Sequence, residues 1–564
     1  MNIRGFNKKS AVAALAMATV VGCMSDSSEK KFAEADDAVE SHVRFGGPSE
    51  EAAESQGAAA APEAPTGRTR TAAEAEPAPA RKSVAAREAP ANIGAEGAAI
   101  KQPADSAPVT DTDTEHYADY GVNQMTETAE DRLSTFAVDV DTGSYTIARR
   151  KLNSNQLPQA SAVRVEEFVN YFRYSYPDPD EGAFGVFMEA APSPFVGEDN
   201  RKVVRVGVQG KRVTDSTRKP VHLTFLVDTS GSMGGQDRIE LAKKSLQVLT
   251  ENLKDGDTVA ISTYSGSVSK VLDPTGMEHR SRIIDAIHSL SAGGSTAMGN
   301  GLELAYKLAL EDFRKDHVNR VVVLSDGDAN VGPTSHQEIL KRVGHFVDEG
   351  VTLSTIGFGM GNYKDAMMEQ LANQGNGNYF YIDSIDEARK IFSEQLDGTM
   401  QVIAKDVKIQ VDFEPEAVKS YRLIGYENRD IADEDFRDDK VDAGEIGAGH
   451  TVTALYEVVL ADGEPNRLGT VRVRHKEPQG AKASEQEFAL TRGDLRESLR
   501  EASKDFQFAA AVAGFAEIMR DSPYAKGMSL DLIEELAEGA TIRGQQDRRE
   551  FIDLVKKAKA LGKG

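Results

Sequence analysis

The chain has 564 residues, a formal charge of −24 and one cysteine. That length suggests about two to four domains, and the acidity, with no basic stripe, excludes a surface that tracks nucleic-acid phosphates. A lone cysteine excludes any internal disulfide.

At the N-terminus Arg4, Lys8 and Lys9 precede an apolar run, Ala11 to Val21, the pattern of a secretory signal. The run is too short to span a bilayer comfortably. It ends in Val20-Val21-Gly22-Cys23, which resembles the lipobox of bacterial lipoproteins. The resemblance implies that residues 1–22 are removed and that Cys23 is acylated, giving a lipid anchor in the cell envelope. Met24 stands where an aspartate is associated with inner-membrane retention, which favours the outer membrane, facing the periplasm or the outside. Residues 23–116 are rich in Ala, Glu, Pro, Ser and Gly, with no aromatic residue between Phe45 and Tyr117. Such a segment buries too little apolar surface to offset chain ordering, so the expectation is a disordered tether. As a flexible chain its ends would lie ~50–60 Å apart.

From 117 to 219 the composition becomes that of a folded segment. Phe136-Ala137-Val138-Asp139-Val140-Asp141-Thr142-Gly143-Ser144 leads into a helical run through Ala148 and Leu152. A second helix is predicted over Val163 to Tyr174, with Val165, Phe168, Val169 and Phe172 on one face. Strands are predicted at Gly185–Ala191 and Val203–Gln209.

Residues 220–396 carry the most informative pattern. Val221-His222-Leu223-Thr224-Phe225-Leu226-Val227 is an apolar, β-branched run that reads as a buried strand. It ends in Asp228-Thr229-Ser230-Gly231-Ser232, and Gly231 is expected to let the turn tighten until the two serine hydroxyls converge. Ile239, Leu241, Ala242, Leu246, Leu249 and Leu253 then recur at helical spacing. Further strands are predicted at Thr258–Tyr264, Val321–Ser325, Thr352–Phe358 and Tyr379–Ile382, separated by helical stretches. That alternation implies an α/β fold with a mostly parallel sheet covered by helices on both faces. Ligands of such sheets sit beyond the carboxyl ends of the strands. A carboxylate and two hydroxyls there are hard oxygen donors suited to Mg2+ or Mn2+.

Asp228-x-Ser230-x-Ser232 resembles the signature of the von Willebrand factor type A (VWFA) domain, a Rossmann-like fold with a metal-ion-dependent adhesion site (MIDAS). Two further pieces match in order: Thr296 in Gly293-Gly294-Ser295-Thr296-Ala297, and Asp326 after Val321-Val322-Val323-Leu324-Ser325. The resemblance implies that the hydroxyls of Ser230, Ser232 and Thr296 contact the metal. Asp228 and Asp326 would assist directly or through water. With limited charge around it, the metal would accept an Asp or Glu carboxylate from a protein partner. On residue chemistry alone, two carboxylates close together repel when no metal is bound, so loss of Asp228 is expected to leave the metal-free protein about as stable.

Residues 397–490 read as a β-rich domain, with Val407–Phe413, Thr451–Leu460 and Leu468–His475 alternating like half-buried antiparallel strands. These are expected to pair with the strands before residue 210 as a flanking β-sandwich. Residues 491–564 read as helical, most apolar through Phe506, Phe508, Ala509, Val512, Ala513 and Phe515. Arg164-Val165-Glu166-Glu167-Phe168, Asn170-Tyr171-Phe172 and Asp442-Ala443-Gly444-Glu445-Ile446-Gly447-Ala448-Gly449-His450 resemble the flanking regions of one family of bacterial VWFA lipoproteins.

Rival chemistry is poorly supplied. Asp141-Thr142-Gly143 looks like one aspartic-protease loop, but no second Asp-Thr-Gly follows to share a proton; a helix cap from Thr142 or Ser144 is the simpler reading. Asp139 and Asp141 lack the phosphatase threonine at 143. Gly357-Phe358-Gly359-Met360-Gly361 has the wrong spacing for a dinucleotide loop. The acidic run from Asp430 to Asp442 lacks EF-hand spacing and reads as a solvated loop with a weak calcium site as the alternative. Arg492-Gly493-Asp494 is short enough to arise by chance. The expectation is therefore an envelope lipoprotein whose MIDAS binds a protein, with no enzymatic activity. The alternatives are a passive assembly scaffold or a metal-dependent hydrolase, the latter needing a general base that no motif supplies.

Overall fold

The computed structural model describes residues 117–563 except 139, 196–199, 215, 296–297, 328–335, 360–364, 442, 464 and 479. The signal segment, Cys23, the tether, Asp139, Thr296 and Asp442 lie outside the described residues.

Five apolar runs that start and stop at turn residues form the parallel part of a six-stranded sheet. Its order is Tyr379–Tyr381, Val351–Gly357, Val318–Ser325, Val221–Asp228, Thr258–Tyr264, Val268–Gly276. All neighbours are parallel except the last pair. The Val221–Asp228 strand is buried along its whole length, because helices cover both faces. One face packs on Ile239–Asn252 and Arg280–Ser289 through Leu246, Leu249 and Ile283. The other packs on Met298–Glu311, His336–Asp348 and Asp365–Gln374 through Leu302, Val343 and Leu371. Val268–Gly276 carried no strand signal. It is an exposed antiparallel edge that tolerates Pro274, because one side of an edge strand needs no ladder partner.

The sheet reverses direction of growth at Val221–Asp228. The chain proceeds from there to Thr258–Tyr264 on one side, then returns to lay Val318–Ser325 on the other. This topological switch point opens a crevice beyond the carboxyl ends of those strands.

Two antiparallel sheets flank this domain as a β-sandwich. One runs Thr126–Glu127, Val418–Ile424, Thr451–Leu460, Arg201–Gly210, Phe184–Pro192; the other runs Gly444–Gly447, Val402–Phe413, Arg467–Lys476, Ala483–Thr491. Leu133–Ala137 also pairs with Val402–Phe413. Their facing side chains, among them Val206, Val208, Ile409, Val411, Val452 and Val471, form one core.

Two further features depart from the sequence expectation. Thr451–Leu460 is not half-buried. Helices Lys504–Met519, Leu530–Ala540 and Gln546–Ala560 pack on the far side of its sheet, against Val203 and Leu455. The charges alternating along that face are buried as ion pairs: Arg205–Glu189 at 3.0 Å, Arg422–Glu457 at 3.3 Å and Arg422–Glu517 at 3.2 Å. The predicted helix over 163–174 is also shorter, Val165–Asn170. Tyr171 caps it, its N still donating to Glu167 O at 3.2 Å, and the rings of Tyr171 and Phe172 join an aromatic cluster with Tyr145, Phe508 and Phe551.

Candidate metal site

Asp228 is the last residue of its strand and is wholly buried. Three donors hold it. Ser230 N donates to Oδ1 at 2.8 Å, and the Tyr264 hydroxyl and Ser325 Oγ donate to Oδ2 at 3.0 and 3.1 Å. Burial pushes this carboxyl above its ordinary pKa; the bonds from Ser230 and Tyr264 oppose that, and the charge of Asp326 adds to it. The expectation that Asp228 can be lost from the metal-free protein at no cost considered repulsion alone, and these three donors correct it. Parallel pairing puts Tyr264 directly opposite it, and the neighbouring strand ends in Ser325.

Beyond Asp228 the chain makes a single 3-10 turn, Gly231–Met233, anchored by the fully buried Met233. The turn brings Ser230 Oγ and Ser232 Oγ to 2.9 Å. The glycine requirement lies elsewhere than predicted. A Cβ on Gly231 would meet Gly294 O at 3.4 Å, an ordinary contact, whereas Gly294 has φ +97°. The Gly294 loop is bonded to the serine loop twice, Gly231 N to Gly294 O at 2.9 Å and Gly293 N to Thr229 O at 2.8 Å. Asp326, 5 % exposed, follows the adjacent strand. Arg238 Nη1 lies 3.6 Å from Asp326 Oδ2 and also donates to the Ser232 carbonyl.

The structure thus brings Asp228, Ser230, Ser232 and Asp326 to one crevice, while Thr296 is outside the described residues. Hard oxygens dominate the donor set, and a carboxylate whose charge is penalised by burial gains from a divalent cation, so the residues fit one. Among the described residues no group of three or more His, Cys, Asp or Glu could hold a metal ion, so a site here depends on the hydroxyls. Sequence reasoning missed Tyr264, Ser325 and Arg238. Ser325 stood in a quoted motif, but only strand pairing shows where it, or Tyr264, points.

The rival motifs have structural roles. Asp141 accepts from Tyr379 N at 2.8 Å and pairs with Arg429 at 3.1 Å. The cap of helix Gly143–Asn153 comes from neither Thr142 nor Ser144; Glu167 accepts from Ser144 N at 2.7 Å. The acidic loop is held by cations, Lys408 Nζ donating to the carbonyls of Asp435 and Asp438 and Arg474 pairing with Asp439 at 2.6 Å. Asp494 closes a capping box with Thr491.

A switch-point crevice of this kind, ringed by Asp-x-Ser-x-Ser and a second aspartate, defines a von Willebrand factor type A domain. The family model "von Willebrand factor type A domain" matches residues 222–394, "von Willebrand factor" matches 111–205, and "Uncharacterized protein YfbK, C-terminal" matches 398–561. The chain is 38 % identical over 473 residues to YfbK of Escherichia coli (strain K12), covering 79 % of this chain and 81 % of that protein. The chain belongs to the YfbK family of VWA-domain proteins. It is also 27 % identical over 268 residues to human inter-alpha-trypsin inhibitor heavy chain H3, covering 43 % of this chain and 29 % of that one. Among solved structures, von Willebrand factor type A from Catenulispora acidiphila is similar at TM-score 0.40 and 16 % identity, covering 68 % of this chain and 91 % of that one. Proximal thread matrix protein 1 from the mussel byssus, with a zinc-occupied MIDAS motif, is similar at TM-score 0.27 and 24 % identity, covering 34 % and 46 %. VWA-domain proteins generally mediate protein–protein interactions.

Proposed function

We propose that this chain is an envelope lipoprotein whose VWA domain binds a protein partner through a divalent cation, Mg2+ or Mn2+. The observation that carries the reading is the convergence of Asp228, Ser230, Ser232 and Asp326 at the switch point. Those four, with Thr296, would hold the cation, and the bound cation would supply a positive centre for an Asp or Glu carboxylate of the partner. Binding rather than catalysis is favoured by the groups that touch Asp228. They are two serines and Tyr264, whose phenol burial pushes well above its ordinary pKa, so it holds its proton at neutral pH. Acylated Cys23 would attach the chain to a membrane, with the outer membrane favoured by Met24; no helix among the described residues is long and apolar enough to cross one.

The test is capture of partners from envelope extract by the wild type and by Asp228→Ala, each with Mg2+ and with EDTA. Capture that needs both Mg2+ and Asp228 supports the reading. Equal capture in EDTA rejects metal-dependent adhesion. Labelled fatty acid is expected in the wild type and absent from Cys23→Ser; equal labelling would reject the anchor.

A further inference from the structure

The metal loop carries a cation of its own. Arg238 stands immediately before helix Ile239–Asn252, its guanidinium bonded to the Ser232 carbonyl and 3.6 Å from Asp326. Its side chain is only 23 % exposed, so water screens its charge incompletely. Its stem is covered by Gly359: a Cβ built there would come within 2.3 Å of Nε and 2.6 Å of Cγ. Only glycine admits the arginine in this pose, and φ +76° at Gly359 suits glycine as well. The Gly359 carbonyl in turn accepts from Arg150 and from the Tyr381 hydroxyl. Arg150 lies over the Tyr381 ring at 5.3 Å and belongs to helix Gly143–Asn153, outside the VWA domain. That helix is tied down beside it, Arg149 reaching Asp383 at 2.5 Å and Glu387 at 2.8 Å.

We propose that Arg238 is a built-in counter-ion that competes with the divalent cation for Asp326, and that Arg150 is a positioning residue that holds it there through Gly359. The inference rests on the cation-site reading above. A guanidinium beside Asp326 neutralises charge that a divalent cation would otherwise use, and in the metal-free protein it relieves the repulsion between the two aspartates. The segment before the VWA domain thereby sets how readily the site takes up its cation.

The test is Mg2+ titration of the full chain, by calorimetry and by thermal melting, on the wild type, Arg238→Gln, Arg150→Gln, Arg150→Lys and Asp228→Ala. Arg238→Gln is expected to melt lower without metal yet bind Mg2+ about tenfold more tightly, from the loss of one adjacent like charge. Arg150→Gln should move both quantities the same way by less, and Arg150→Lys, which can still donate to Gly359, should stay near the wild type. If Arg150→Gln does not fold, Tyr381→Phe removes the other donor to Gly359 and carries the same expectation. Arginines with a merely structural role would lower melting equally with and without Mg2+ and leave affinity unchanged; that result, or weaker binding, overturns the counter-ion. A wild-type response lost in Asp228→Ala but unaltered in the arginine variants overturns this inference alone. No difference between wild type and Asp228→Ala overturns the cation site and this inference together.

Discussion

At the residue scale Asp228 meets two opposing demands. It stands near a second carboxylate, Asp326, yet Tyr264, Ser325 and Ser230 all point donors at it. Charge repulsion alone would make its removal neutral, but stranding buried donors costs about 1–3 kcal/mol. Asp228→Ala is therefore expected to lower metal-free unfolding free energy by about that amount in urea titration, and to lose its Mg2+-linked shift in melting. A second residue governs acid sensitivity. Burial, with the nearby charges of Arg173 and Arg320, holds His450 down to a pKa of about 4. In the unfolded chain a histidine titrates near its ordinary value of about 6.5. Between those values the unfolded state binds the extra proton, so stability is full above about pH 6.5 and falls as pH drops toward 4, by at most about 1.4 kcal/mol per unit. His450→Gln should flatten this part of the curve in denaturant titrations at pH 7 and pH 5.

At the element scale, helix Gly143–Asn153 shows how a local signal can be read correctly in type and wrongly in mechanism. The turn before it was legible, but its capping oxygen comes from Glu167, twenty-three residues along the chain. Its first residue is glycine because the helix end abuts Tyr379, whose Cε1 would lie 2.2 Å from a Cβ at Gly143. Gly143→Ala is thus expected to destabilise by about 1–3 kcal/mol, despite alanine's better helix propensity. Circular-dichroism melts of the two proteins decide this. The opposite case is Val268–Gly276, which gave no strand signal because an exposed edge needs no apolar alternation.

At the scale of the whole molecule, buried charges knit the VWA domain to the segments around it. Arg149 reaches Asp383 and Glu387, and the Tyr171 hydroxyl donates to Glu387 at 2.8 Å. Lys390 Nζ donates to the Tyr171 carbonyl at 2.9 Å, and burial lowers its pKa to about 8. Cutting out residues 220–396 would leave these acids and Tyr379 without their partners. Breaking buried pairs on one side costs several kcal/mol in general. The excised domain is therefore expected to melt well below the full chain; equal melting temperatures would show that the contacts contribute nothing to its stability.

The features legible in the sequence were those that repeat over a few residues. Buried strands announced themselves as apolar runs, helices by their spacing, and Asp228, Ser230 and Ser232 by their position at a strand end. The order of the motifs along the chain was enough to suggest the VWA fold and to mark Asp326. Tertiary structure alone decided the environment of those residues, because it is made by partners far apart in the chain. Ser325 reaches Asp228 across ninety-seven residues, and Arg150 reaches Gly359 across two hundred and nine. The same reason explains why Thr451–Leu460 is buried on both faces. Its Glu457, with Arg422 on the neighbouring strand, looks solvent-facing until the C-terminal helices close over that face and supply Glu517 to Arg422. Periodicity shows which way a side chain turns from its own backbone, but only packing decides what stands there to meet it.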